Sequence, residues 1–124
     1  MTTKVEEEFT KGRGIWRAGD DVQEVQQNVD MSPGETITAL DITEGGGLII
    51  GGHVAGPVLR VTVTVDGEVI LNNKSATWED TGNDQIRSFV FPMIEAEETL
   101  KVEVNNFSGA TRNGGWLFWY KTFN

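Results

Sequence analysis

The side chains best able to do chemistry are few and scattered. His53 is the one histidine, set in "GGHVAGP", with no cysteine in the chain and no second histidine to share a transition-metal ion. An imidazole moves protons well near neutral pH, but acyl transfer also needs a nucleophile, and no G-x-S-x-G elbow supplies one. His53 therefore reads as a loop-edge imidazole. A second cluster, "WEDTGNDQ", gathers Glu79, Asp80, Asn83 and Asp84. Hard oxygen ligands suit calcium, yet the spacing is not that of an EF-hand loop; an ordinary polar turn is the simpler account, and we assign no metal site. The 19 acidic residues include many pairs that could flank a glycosidic bond, but that reaction needs a fixed separation in space, and a solvated acidic surface explains them equally well. The glycine clusters "EGGGLIIGG" and "GRGIWRAG" lack the Lys-Ser/Thr of a phosphate loop and the spacing of a dinucleotide site. We expect no catalytic residue and no cofactor, and so not an enzyme.

The aromatic residues offer binding instead. The chain closes on "NGGWLFWYKTFN", with Trp116, Phe118, Trp119, Tyr120 and Phe123 close together. In a strand, alternate side chains point to opposite faces, so Trp116, Phe118 and Tyr120 share one face while Leu117, Trp119, Lys121 and Phe123 share the other. Both faces carry large rings, and two wet rings would form a patch that monomers seldom expose. Lys121 marks the outer face, because an unpaired ammonium is costly in a core. Phe118 and Tyr120 are expected inside; Trp119 and Phe123 then need a cover, either an N-terminal arm anchored by Phe9 or a neighbouring subunit. The competing use is carbohydrate recognition, with Trp16 or Trp78 as a stacking platform and Glu79 and Asp80 beside Trp78 as acceptors for sugar hydroxyls. A loop tryptophan folded back on the domain edge is the preferred account of both.

The elements that must hold these residues read as strands. Val, Ile and Thr dominate the intervals between glycine-rich turns, an all-β signature. In "PVLRVTVTVDGEVILNN", Leu59, Val61, Val63 and Val65 alternate with Arg60, Thr62 and Thr64 ahead of Asp66-Gly67, a pair suited to a type I′ hairpin; Glu68 to Leu71 returns antiparallel. "VDMSPGETITALDI" reads as a strand, a Ser32-Pro33-Gly34 turn and a strand from about Thr36 to Ile42. Leu48 to Ile50 reads as a short strand between glycine bends. In "TLKVEVNN", Leu100, Val102 and Val104 share one face and Lys101 and Glu103 the other, and "QIRSFVFPMI" is a further strand. Val22, Val25 and Val29 have helical spacing, and Asp21 with Glu24 resembles a capping box, but the β-branched residues and Pro33 favour an extended segment. About eight short strands with Gly, Pro and Asn turns predict an antiparallel two-sheet β-sandwich, jelly-roll-like, over residues 13–124, with residues 1–12 as an extended arm.

Composition narrows the partners. One domain of 124 residues can bury a core without disulfides. A formal charge of -9 with no basic stripe disfavours nucleic acid. No apolar run is long enough to span a bilayer as a helix, and "MTTKVEEEFTKGR" has no apolar signal core, so we expect no membrane partner and synthesis in the cytoplasm. Asn73-Lys74-Ser75 and Asn106-Phe107-Ser108 match the glycosylation triplet, which recurs by chance, and receive no weight.

Taken together, "PGETITALDITEGGGLIIGGHV", "RVTVTVDGEVI" and "LKVEVNNFSGATRNGGWLFWY" follow an order that resembles small jelly-roll virion proteins of tailed phages and viruses, including capsid decoration proteins and tail or baseplate modules. The likeness runs from about Val22 onward and lies in strand grammar. It implies a non-enzymatic virion protein made in the host cytoplasm, a homo-oligomer, commonly a trimer, that assembles with other virion proteins. It carries over no catalytic residues. A glycan-binding, receptor-recognising module is the alternative.

Overall fold

The computed structural model describes residues 22–76 and 87–123. The arm at 1–12 with Phe9, and the residues Trp16, Trp78, Glu79, Asp80, Asn83 and Asp84, lie outside that range.

Nine strands follow in order: β1 (Gln23–Met31), β2 (Thr36–Ile42), β3 (Gly47–Gly56), β4 (Leu59–Val65), β5 (Glu68–Ser75), β6 (Arg87–Phe91), β7 (Ile94–Ala96), β8 (Leu100–Asn106) and β9 (Arg112–Thr122). They form two antiparallel sheets, one in the order β1-β9-β3-β6 with β7 also on β3, the other in the order β2-β8-β4-β5. The chain passes back and forth between the sheets, from β1 to β2 to β3 to β4 and again from β7 to β8 to β9. This is the jelly-roll order expected of the sandwich. β6 and β7 are one edge strand in two pieces: Gly52 faces Phe91 and Ile49 faces Ile94, three residues further along each strand. Pro92 lies between the pieces and has no N–H to offer the ladder.

Alternation fixes the core. Along β8, Leu100, Val102 and Val104 are fully buried while Lys101, Glu103 and Asn105 are not. Val61 and Val63 of β4, Ile49 and Val54 of β3, and Trp116 and Phe118 of β9 meet them from both sheets, and Phe91 stands edge-on to Phe118 with ring centroids 4.9 Å apart. The segment of uncertain type is a strand. Val25 and Val29 turn inward against the core, and Val22 is 53% exposed.

Two polar devices hold the ends of the sandwich. Asn106 is fully buried; its Nδ2 donates to the carbonyls of Met31, Ser32 and Ala110 at 3.0, 3.1 and 2.9 Å, and its Oδ1 accepts from the Ser108 backbone N–H and hydroxyl at 3.0 and 2.7 Å. One amide thus ties the β1–β2 turn to the β8–β9 loop, and its burial is incompatible with serving as a glycosylation acceptor. At the other device, Asp66 and Gly67 adopt φ of 51° and 79° in the β4–β5 hairpin, the left-handed pair that a type I′ turn requires. The Asp66 carboxylate accepts from the backbone N–H groups of Glu97, Glu98 and Thr99 at 3.1, 2.7 and 3.0 Å. Those bonds, led by the one from Thr99, hold its pKa below the ordinary carboxylate value.

Candidate functional site

The last strand divides its rings between two environments, as alternation requires. Phe118 is 0% exposed and Trp116 is buried beside it, with Tyr120 partly buried against the same core. Trp119, one residue out of phase, is 50% exposed. Its indole Nε1 donates to Glu24 Oε1 across the β1–β9 pair at 2.9 Å, which ties the ring to β1 and satisfies its only polar atom.

The neighbours of Trp119 can be read from the register. Gln26 of β1, Leu117 of β9, His53 of β3 and Val90 of β6 lie in one row across the outer face; Glu24, Trp119 and Gly51 make the next. Gly51, Gly52, His53, Val90, Leu117 and Trp119 line a shallow trough of about 380 Å³. Val90 is 72% exposed beside it. Two glycines line the trough for different reasons, and one of them, Gly51, leaves its floor bare. At Gly52 an added Cβ would stand 2.6 Å from Phe118 Cδ1 and closer still to the Leu117 carbonyl, so the packing of β3 on β9 excludes a side chain. At Gly51 an added Cβ would meet nothing within 4 Å; its absence simply leaves the floor bare opposite Trp119. A register shift between Ile49 and Gly51 places this bare position on the outer face while Ile49 still points into the core.

Lys121 corrects one expectation. It lies on the same side of β9 as Trp119, as expected, but is 1% exposed rather than solvated, and it is not without an interaction there. Leu48, directly opposite it, is also buried, although it is not part of the core cluster. One end of the outer face is therefore covered and the Trp119 end is open. Phe123 is partly buried, and its backbone N–H donates to Gly46 O at 3.1 Å.

Of the residues expected to bind a partner, Trp119 and Phe123 are described and share β9 and its C-terminal extension; Phe9 is not described, nor are the sugar-site candidates Trp16, Trp78, Glu79 and Asp80. Gly51 and Val90 are additional trough residues that sequence reading did not single out. An outward Val beside the inward Phe91 in "SFVF" was the available signal. His53 forms part of the trough wall; among the described residues no group of three acidic, His or Cys side chains could hold a metal ion.

No protein-family model and no curated protein matches the chain. Among solved structures it is similar to the capsid asymmetric unit of cyanophage Pam1, at 13% identity and a TM-score of 0.49, covering 86% of this chain and 88% of that one. It is also similar to infectious bursal disease virus VP2 as a subviral particle, at 15% identity and a TM-score of 0.44, covering 86% of this chain and 33% of VP2. A mutant VP2 of the same virus gives 18% identity and a TM-score of 0.43, over 86% and 32% of the two chains. The chain thus spans about a third of the VP2 chains. The jelly-roll description rests on the strand order itself.

Proposed function

We propose that this protein is a non-enzymatic structural component of a virus particle, a capsid decoration or cementing protein or a tail-associated module, acting through protein–protein assembly. The single observation that carries the assembly role is the outer face of the five-stranded sheet, where Trp119 and Val90 stand open beside Leu117 and a bare glycine floor. Rigid aromatic anchors around a shallow apolar floor are what protein interfaces use. The particle setting comes from the strand grammar, and a homotrimer is the favoured state.

The mass of the purified full chain tests this, followed by Trp119→Ala. An oligomer in which Trp119 is shielded from a soluble quencher, and which dissociates in the variant while the β-sheet spectrum persists, supports the proposal. A monomer with a fully quenchable Trp119 sinks it.

A further inference from the structure

The outer face of the four-stranded sheet carries a second concavity of different chemistry. Thr36, Thr62, Asn73, Glu103, Asn105 and Phe107 line an open concavity of about 260 Å³, just below the size range of small-molecule sites, about 300–1,000 Å³, and so suited to a single sugar ring rather than a longer chain. Phe107 is 51% exposed, with the Arg60 guanidinium carbon 3.3 Å from its ring centroid. One ring face is thus closed by a cation, and Phe107 is among the residues that line the pocket.

The polar groups around that ring are already oriented by the protein. Asn105 Nδ2 donates to Gly34 O, Glu35 O and Thr36 Oγ1 at 3.1, 3.3 and 3.0 Å, which fixes the amide and leaves its carbonyl oxygen to accept. Thr36 Oγ1 accepts from Asn105, and Thr62 Oγ1 accepts from the Asn73 backbone N–H at 3.0 Å; both hydroxyl hydrogens remain to donate. Glu103 pairs with Thr38 on one side and Thr62 on the other, adding a carboxylate acceptor. The lining therefore offers donors and acceptors together, as vicinal sugar hydroxyls demand, beside an apolar surface for the C–H face of a pyranose.

One strained residue adjoins the pocket through its backbone. Val58 has φ of 56°, a left-handed conformation that is costly for a β-branched residue, whereas Asn73, with φ of 49°, is of a type that tolerates it. The Val58 carbonyl accepts from Phe107 N–H at 3.1 Å, and Asn73 lies where the β4–β5 register shifts between Val61 and Val63. Strain of this kind persists where the surrounding structure over-determines a site.

We infer that this pocket binds a neutral saccharide, one pyranose ring against Phe107 with its hydroxyls on Glu103, Asn105, Thr36 and Thr62. Glu103 in the lining and the net charge of -9 oppose an anionic ligand, and Arg60, the cation placed beside the pocket, is stacked on the Phe107 ring. The inference stands apart from the assembly proposal, since the residues lie on the other sheet.

The test is amide-resonance mapping of the full-length, ¹⁵N-labelled protein titrated with the methyl glycosides of glucose, galactose, mannose and N-acetylglucosamine to about 10 mM, a range suited to weak single-ring binding. The expected result is saturable shifts at Thr62, Asn73 and Glu103 to Phe107 with at least one glycoside. Phe107→Ala and Glu103→Gln should each weaken that binding about tenfold, as loss of an apolar anchor or a charged acceptor does, with the remaining spectrum preserved. No shift with any of the four, or shifts confined to other residues, overturns the inference. So does binding that both variants retain unchanged.

Discussion

The two outer faces of this sandwich are built by the same rule and end in opposite chemistry. On β8, the outward positions are Lys101, Glu103 and Asn105, flanked by Thr36, Thr38, Thr62 and Thr64 on the neighbouring strands. On β9, the outward positions include Leu117 and Trp119, flanked by Gly51, His53 and Val90. Both sheets contribute to one core, so burial there cannot account for the difference. Around β8 water suffices, and the half-exposed Val69, Ile70 and Phe107 of that sheet lie at its β5 edge and beyond the end of β8; around β9 the apolar Trp119 and Val90 stand half or more in solvent beside Leu117 and bare glycine, a state that protein association relieves. The contrast teaches that the inner alternation reports the fold, and that the assembly surface shows where the outer alternation fails to turn polar.

The largest expected effect removes the scaffold that both faces share. Asn106→Ala removes the side-chain donor from the Met31 and Ser32 carbonyls and the acceptor from the Ser108 N–H, one bond buried and the others part-buried; chemical denaturation should show a loss of about 2–4 kcal/mol, the cost of several unmade hydrogen bonds at a buried amide. Next, the two glycines of the trough should separate cleanly. Gly52→Ala forces a Cβ against β9 backbone and should lose about 1–3 kcal/mol by the same measurement. Gly51→Ser meets open space and should stay within about 0.5 kcal/mol of the parent, while weakening association by filling the floor opposite Trp119.

A smaller, pH-dependent effect belongs to neither face. The three backbone donors lower the Asp66 pKa in the folded state, so the native state prefers the ionised form. The stabilisation is complete above the ordinary carboxylate range and fades as pH falls through that range to the lowered value. Thermal unfolding followed from neutral to acid pH should therefore show a steeper acid loss for the parent than for Asp66→Asn. Equal slopes would mean that the carboxylate latch contributes nothing.

Much of this arrangement was legible in the sequence wherever one strand face meets core and the other meets water. "LKVEV" and the Asp66-Gly67 hairpin came out as written because period-two alternation and turn chemistry are local properties. Val25 and Val29 were ambiguous for a physical reason: a separation of four residues satisfies both the helical and the strand period. The length of β3 was not legible. A short Leu48–Ile50 strand between bends was expected, but the strand runs through its glycines from Gly47 to Gly56, because β9 on one side and β6 and β7 on the other pair with its backbone. Tertiary pairing overrode glycine's poor strand propensity. β5 likewise continues past Leu71 to Ser75 through register shifts against β4. At the site, parity correctly separated Phe118 from Trp119, yet neither the burial of Lys121 nor the hydrogen-bond hub at Asn106 follows from residue type. Both depend on groups brought together from distant parts of the chain.

The comparison between the faces is tested most directly by placing one carboxylate on each and measuring mass by sedimentation equilibrium across a concentration series. Trp119→Glu charges the apolar face and Thr38→Glu the polar one, both at exposed positions. The account predicts an oligomeric parent, an unchanged mass for folded Thr38→Glu, and a monomer for folded Trp119→Glu. A monomeric parent, or the same oligomer in both variants, would contradict it.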